Sequence, residues 1–221
     1  MFNITSKTII LSTLIFILAS ITTINIILNN TFEAPMKATW SQLTTGAKQE
    51  VKCLADNIFY EAAYEPHDGK VAVAMVTLNR VISNHYEDTI CGVVKEKIRG
   101  TCQFSWWCQD KERNAAITHD LTPRQKQVYD DILAIALNVY MNYGRLEDPS
   151  KGALFYHADY VRPNWKNLNV TTKIGRHIFY VKSDNFKKGD VRNGTNDAEI
   201  KSRFAEQGAV QPLVLLAYGG S

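Results

Sequence analysis

Apolar positions along this chain fall into blocks whose spacing changes from one region to the next. Thr8 to Leu28 runs for 21 residues without a charge, 14 of them apolar, which is about the length a helix needs to cross the hydrocarbon of a bilayer. Lys7 precedes it and Glu33 and Lys37 follow, so the positive-inside bias puts the N-terminus in the cytoplasm and residues 31 to 221 outside. The run exceeds a secretory h-region and no A-x-A pattern follows it, so a retained membrane anchor over residues 8–28 is preferred to a cleaved signal. A third of its positions are Ser, Thr or Asn, which weakens its hold on lipid. Residues 31–49 read as a tether.

From Glu50 to Tyr64 the pattern becomes helical, with Val51, Leu54, Ile58 and Ala62 on one stripe. Glu65-Pro66 closes it, because proline disfavours helix in the residue before it. After a turn at His67-Asp68-Gly69, Val71 to Ile82 is apolar on nearly every side and predicts a central second helix. Residues 85 to 120 have no long period and read as an ordered irregular loop. Thr122-Pro123-Arg124-Gln125 combines a cap, an N1 proline and a glutamine at N3, and opens a third helix reaching about Tyr143. Gly152 to Ala158, Val170 to Ile174 and His177 to Lys182 have strand composition, the last two joined at Gly175-Arg176 as a hairpin. The result is an α+β fold, a helical subdomain followed by a small antiparallel sheet and preceded by one N-terminal transmembrane helix. The catalytic domain spans 50–183. Residues 184–221 form a C-terminal extension with a capped helix at Asn196 to Gln207 and an apolar stretch at Pro212 to Tyr218.

Composition changes this picture little: 45% of residues are apolar, and 25 Lys and Arg against 22 Asp and Glu leave a net charge of +3. No basic cluster suits nucleic acid, which is excluded as a partner. The four cysteines, Cys53, Cys91, Cys102 and Cys108, all lie in the exported part and predict two disulfides, with three pairings open. Their spacing disfavours zinc, and no metal or cofactor is expected.

No nucleophile elbow, P-loop or dinucleotide fingerprint occurs. The best candidate for chemistry is Glu61, at the C-terminal end of an apolar helix, where desolvation and the negative end of the helix dipole both favour the neutral acid. Such an acid can protonate a leaving-group oxygen. Glu65, four residues on, shares its helix face and is either a second carboxylate or, the preferred reading, a cap at the turn. Asn79 and Arg80 read as braces of the core, and His157 and His177 as packing residues.

Cys53-Leu54-Ala55, Ile58 to Ala62, Glu65-Pro66, Gly69, Val71 to Ala74, Leu78 to Val81, Thr89 to Val94, Cys102 to Ser105 with Cys108, Gly152 to Tyr156 and Ile174 to Tyr180 occur in an order that resembles the bacterial cell wall hydrolase family typified by spore cortex-lytic enzymes of the SleB type. The resemblance implies a lysozyme-like cleft and peptidoglycan glycan strands as substrate, cut between MurNAc and GlcNAc by a lytic transglycosylase or muramidase with Glu61 as catalytic acid. Within such a cleft Glu65, Gln103, Ser105, Tyr156 and Trp165 are the candidate sugar contacts, since amides, hydroxyls and aromatic faces suit pyranose rings. The protein is expected to act as a monomer in the periplasm or extracellular envelope, in host wall remodelling or as a phage endolysin. The rival reading is a non-catalytic, membrane-anchored peptidoglycan-binding protein, and retention of Glu61 within the motif favours the enzyme.

Overall fold

The structure, a computed structural model, describes residues 12–23, 39–83, 85–109 and 121–183. The chain forms two compact units, Met1–Gln42 and Leu43–Ser221. In the first, residues 12–23 are helical with their side chains exposed. Among the described residues no helix is long and apolar enough to cross a membrane, so the expected span over 8–28 is not supported by them. Its remaining positions, like the extension from residue 184, lie outside the described residues.

The second unit opens with helix α1, Thr45–Ala62. It starts five residues earlier than the periodicity predicts, because Thr44 caps it by accepting from the Ala47 N–H at 3.2 Å and Leu43 and Ala47 are buried. Helix α2, His67–Ile82, likewise takes in the expected His67-Asp68-Gly69 turn as its first turn, with Pro66 as N-cap. Its surface is apolar all round because α1 and two further helices, α3 (Ile90–Lys95) and α5 (Pro123–Asn142), pack against it. The capping box of α5 forms as predicted, Thr122 Oγ1 accepting from the Gln125 N–H at 3.3 Å and Gln125 Oε1 from the Thr122 N–H at 3.0 Å.

The region expected to be irregular is more structured than its pattern suggests. Besides α3 it holds a hairpin of β1 (Lys97–Ile98) and β2 (Thr101–Cys102), then a short helix α4 (Ser105–Gln109). Disulfides decide its course. Cys53–Cys91 ties α1 to α3, and Cys102–Cys108 closes a loop over α4. Beside the first bridge, Glu50 of α1 accepts from the N–H groups of Ile90 and Cys91 at 2.7 and 3.1 Å, satisfying donors that a helix start leaves open.

Strands β3 (Phe155–Ala158), β4 (Leu168–Ile174) and β5 (His177–Lys182) form an antiparallel sheet of order β3-β5-β4. The β4–β5 hairpin turns at Gly175-Arg176 as predicted. Gly175 has φ +54°, and a Cβ there would strike the Glu65 carboxylate, so glycine is required twice over. On β5, His177, Phe179 and Val181 are buried and alternate with less buried residues, giving the sheet an inner face toward the helices.

Candidate active site

Glu61 occupies the last turn of α1, one residue from its end. Burial raises its carboxyl above the ordinary glutamate value, while the Tyr156 hydroxyl and the positive charge of Arg80 pull it back down. Burial thus favours the protonated acid, and the same two groups favour the carboxylate once the proton leaves.

Tyr156 reaches Glu61 from the middle of β3. It pairs with Phe179 on the neighbouring strand, its ring packs edge-on to His177 at 5.2 Å, and its hydroxyl is buried with no partner in strict hydrogen-bond geometry. Burial and the Glu61 charge push the phenol well above its usual range, so it remains a donor toward that carboxyl. Burial lowers the basicity of His177, against the opposing charges of Glu65 and Asp159.

Arg80 interrupts the apolar surface of α2, two residues before its end. Its Nε donates to the Leu154 carbonyl at 2.9 Å, and its guanidinium lies 5.1 Å from the Tyr86 ring centroid and 5.0 Å from that of Phe104. Its neighbour Asn79 donates to Asp148 Oδ2 at 3.0 Å and to the Ala153 carbonyl at 3.2 Å, and accepts from Tyr143. Asp148 in turn accepts from the N–H groups of Ser150 and Gly152, both at 2.8 Å. These bonds hold the chain entering β3, and with it Tyr156, against α2.

A third wall comes from the segment closed by Cys102–Cys108. Trp106 stacks on Tyr60, the residue before Glu61, with centroids 4.4 Å apart and planes within 12°. Its indole Nε1 donates to Asn57 Oδ1 at 3.0 Å, and Asn57 Nδ2 donates to Thr77 Oγ1 at 3.1 Å, a buried relay from α4 through α1 to α2. Gln103, half-buried, and Ser105, exposed, ride on this segment.

Two predicted contacts fall elsewhere. Glu65 lies beyond the end of α1, so it does not share the helix face of Glu61. Its Oε2 accepts from the Arg176 N–H at 3.0 Å, which makes it a brace for the β4–β5 turn. Trp165 packs against Phe155, His157 and Tyr180, with centroids 5.6 to 6.0 Å away. Those residues alternate with Tyr156 and Phe179 along their strands, so Trp165 sits on the sheet face opposite Tyr156. The structure thus brings Glu61 and Tyr156 together, ties the segment carrying Gln103 and Ser105 to Tyr60 and Arg80 through Trp106 and Phe104, and sets Glu65 and Trp165 apart.

Arg80 acts on Glu61 although the sequence suggests only a brace; a lone cation within the apolar stretch from Val71 to Ile82 is the available signal. Glu96, just after α3, also interacts with Arg80, and no periodicity marks it. Among the described residues no three His, Cys, Asp or Glu side chains group as a metal site would require.

A family model described as Cell Wall Hydrolase matches residues 64–180, beginning three residues past Glu61. The spore cortex-lytic enzyme of Oceanobacillus iheyensis is 30% identical over 139 residues, covering 60% of this chain and 42% of that protein. The spore cortex-lytic enzyme of Halalkalibacterium halodurans is 33% identical over 132 residues, covering 59% and 34%. The chain thus spans less than half the length of these curated relatives. The crystal structure of the catalytic domain of the Bacillus cereus SleB protein aligns at 30% identity with a TM-score of 0.41, over 63% of this chain and 95% of that one.

Proposed function

The chain belongs to the cell wall hydrolase family, and from that premise we propose that it cleaves peptidoglycan glycan strands between MurNAc and GlcNAc as a lytic transglycosylase, with Glu61 as acid and then base. What supports this reading is a glutamic acid whose proton affinity burial raises, with a tyrosine hydroxyl and a guanidinium acting on the same carboxyl. Glu61 gives its proton to the bridging oxygen as the bond to MurNAc C1 breaks, and the electron pair departs with the GlcNAc 4-oxygen. The carboxylate then removes the proton of the MurNAc 6-hydroxyl, whose oxygen bonds to C1, leaving 1,6-anhydro-MurNAc and a reprotonated Glu61. Hydrolysis would ordinarily engage a second carboxylate across the bond. Glu65, the nearest in sequence, is bonded instead to the backbone of the β4–β5 turn.

Gln103, Ser105 and Tyr156 are proposed to bind sugar along this cleft, and Glu65 and Trp165 to bind farther from the reacting bond. An envelope location, with residues 8–28 as anchor, belongs to the same proposal. It rests on the uncharged N-terminal stretch and on two disulfides, which persist in oxidising compartments.

Mass spectrometry of released muropeptides tests the reading. Anhydro ends are expected to dominate, lighter by one water than reducing ends, and Glu65→Gln is expected to leave the product type unchanged. A digest carrying only reducing MurNAc ends would refute the transglycosylase assignment while keeping glycan cleavage.

The pH dependence follows from the site. The protonated acid is the active form, so kcat/KM should fall as pH rises through the Glu61 value, on a limb displaced above that of an ordinary glutamate. Tyr156→Phe removes a group that lowers that value, and should move the limb to higher pH. A limb that stays in place, or moves down, would separate Tyr156 from Glu61. The same shift has a stability sign: the contribution of Glu61 is full below its unfolded-state value and is lost as pH rises through the folded one.

A further inference from the structure

The three-stranded sheet has a second face, which the chemistry at Glu61 does not use. On β5 the buried His177, Phe179 and Val181 point toward the helices, so Ile178, Tyr180 and Lys182 point the other way. The register sets Phe155 and Val170 on either side of Tyr180, and His157 beside Ile178. Trp165, from the loop between β3 and β4, packs its ring against this row. The cluster is open to solvent: Trp165 is 45% exposed and Val170 59%, while Phe155, His157 and Tyr180 are half-buried. Apolar side chains gathered on an outer face in this way mark a contact surface rather than a core.

Its ring planes form a corner. His157 and Tyr180 lie within 22° of parallel with centroids 5.3 Å apart, and Trp165 stands at 70° to the first and 87° to the second, 5.6 and 5.9 Å away. Hydrogen bonds hold the parallel pair. His157 Nδ1 is 2.8 Å from the Ala158 carbonyl oxygen, which can only accept, so that nitrogen carries the proton. The other ring nitrogen, Nε2, then accepts from the Tyr180 hydroxyl at 2.8 Å. With its proton committed to His157, the Tyr180 oxygen is left as an acceptor for a ligand hydroxyl.

Two aromatic planes near a right angle, with a hydroxyl acceptor on one of them, suit a ligand that has apolar faces and polar edges. A 1,4-linked N-acetylhexosamine chain is such a ligand, since axial C–H bonds cover the faces of each ring and hydroxyls and amides lie around its rim. Lys182 shares the face, is exposed, and forms no ion pair among the described residues, so it complements the carboxylates of peptidoglycan stem peptides. We propose that this outer face is a second glycan-binding site, separate from the Glu61 cleft, which holds a stretch of strand that is not being cut. Trp165 and the Tyr180–His157 pair grip the sugar, and Phe155 and Val170 extend the apolar floor. The proposal rests on peptidoglycan being the substrate, yet binding at this face can be measured without cleavage.

The test takes the full chain carrying Glu61→Gln, labelled with nitrogen-15, and titrates it with the 1,4-linked tetramer of N-acetylglucosamine. The indole N–H signal of Trp165, identified by its loss in Trp165→Phe, is expected to shift and saturate. In the same background Trp165→Ala should raise the amount of insoluble peptidoglycan needed for half-maximal binding about tenfold, as for an aromatic anchor. Val170→Glu should weaken binding in the same sense by setting a carboxylate beside Tyr180, and its exposed position keeps the test valid if Trp165→Ala does not fold. A Trp165 signal that stays still while the tetramer saturates the protein overturns the proposal; that is the outcome if sugar enters only the cleft or if residues 184–221 cover the face. Peptidoglycan binding unchanged in Val170→Glu overturns it as well. If the Trp165 signal shifts but Glu61→Gln still cleaves cell walls at the parent rate, the acid assignment fails and the second site stands.

Discussion

Glu61→Gln is expected to lower glycan cleavage by about 10²- to 10⁴-fold, the range contributed by a positioned general acid. The amide keeps the shape and volume of the carboxyl but has no proton to give at any working pH. The fold should survive, since burial disfavours the charge that this change removes and the anchors of the cleft, Asn57, Trp106 and Asn79, are untouched. Dye release from labelled cell walls measures the first quantity and thermal melting the second. A glutamine variant within about tenfold of the parent would refute the assignment, and one that no longer melts cooperatively would show Glu61 to be structural.

The second large effect is on stability. Cys53–Cys91 closes 38 residues and Cys102–Cys108 only 6, so by loop-closure entropy the paired serine substitutions should cost about 4 kcal/mol for the first and about 2 for the second. For a domain of this size the larger loss lowers the melting temperature by roughly 10 °C. The first bridge also fastens α3 where Glu50 caps it, so its loss exposes a desolvated carboxylate that burial has raised. The second restrains the segment that carries Gln103, Ser105 and Trp106, the last stacked on Tyr60 beside Glu61, so its removal should reduce activity more than stability. Urea denaturation of the two double-serine variants gives the comparison, and equal losses would mean that loop length is not the governing factor.

Helices are legible in the spacing of apolar residues because burial along a helix is periodic. Val51, Leu54, Ile58 and Ala62 mark α1, and the Thr122–Gln125 box marks the start of α5, since both signals are local in the chain. The start of α1 is not legible in that spacing, because Leu43 and Ala47 are buried by neighbours that periodicity does not see. Residues 85–109 are illegible for a similar reason: their elements are short, and two bridges and the Glu50 carboxylate of α1, which accepts from the first N–H groups of α3, hold them in place.

At the site the division is the same. Residue type and helix position single out Glu61 as an acid, because apolar neighbours in the same helix foretell desolvation. Resemblance to a family adds the reaction, which no spacing contains. Only the folded chain shows that Glu65 turns away to the β4–β5 hairpin and that Trp165 lies on the far sheet face. It alone brings Arg80, 19 residues from Glu61, and Tyr156, 95 residues away, to the same carboxyl. Periodicity reports which side of an element meets the core, a property of neighbours along the chain. A proton's affinity depends on charges and dipoles that converge through space, and those are set by how the helices and the sheet pack.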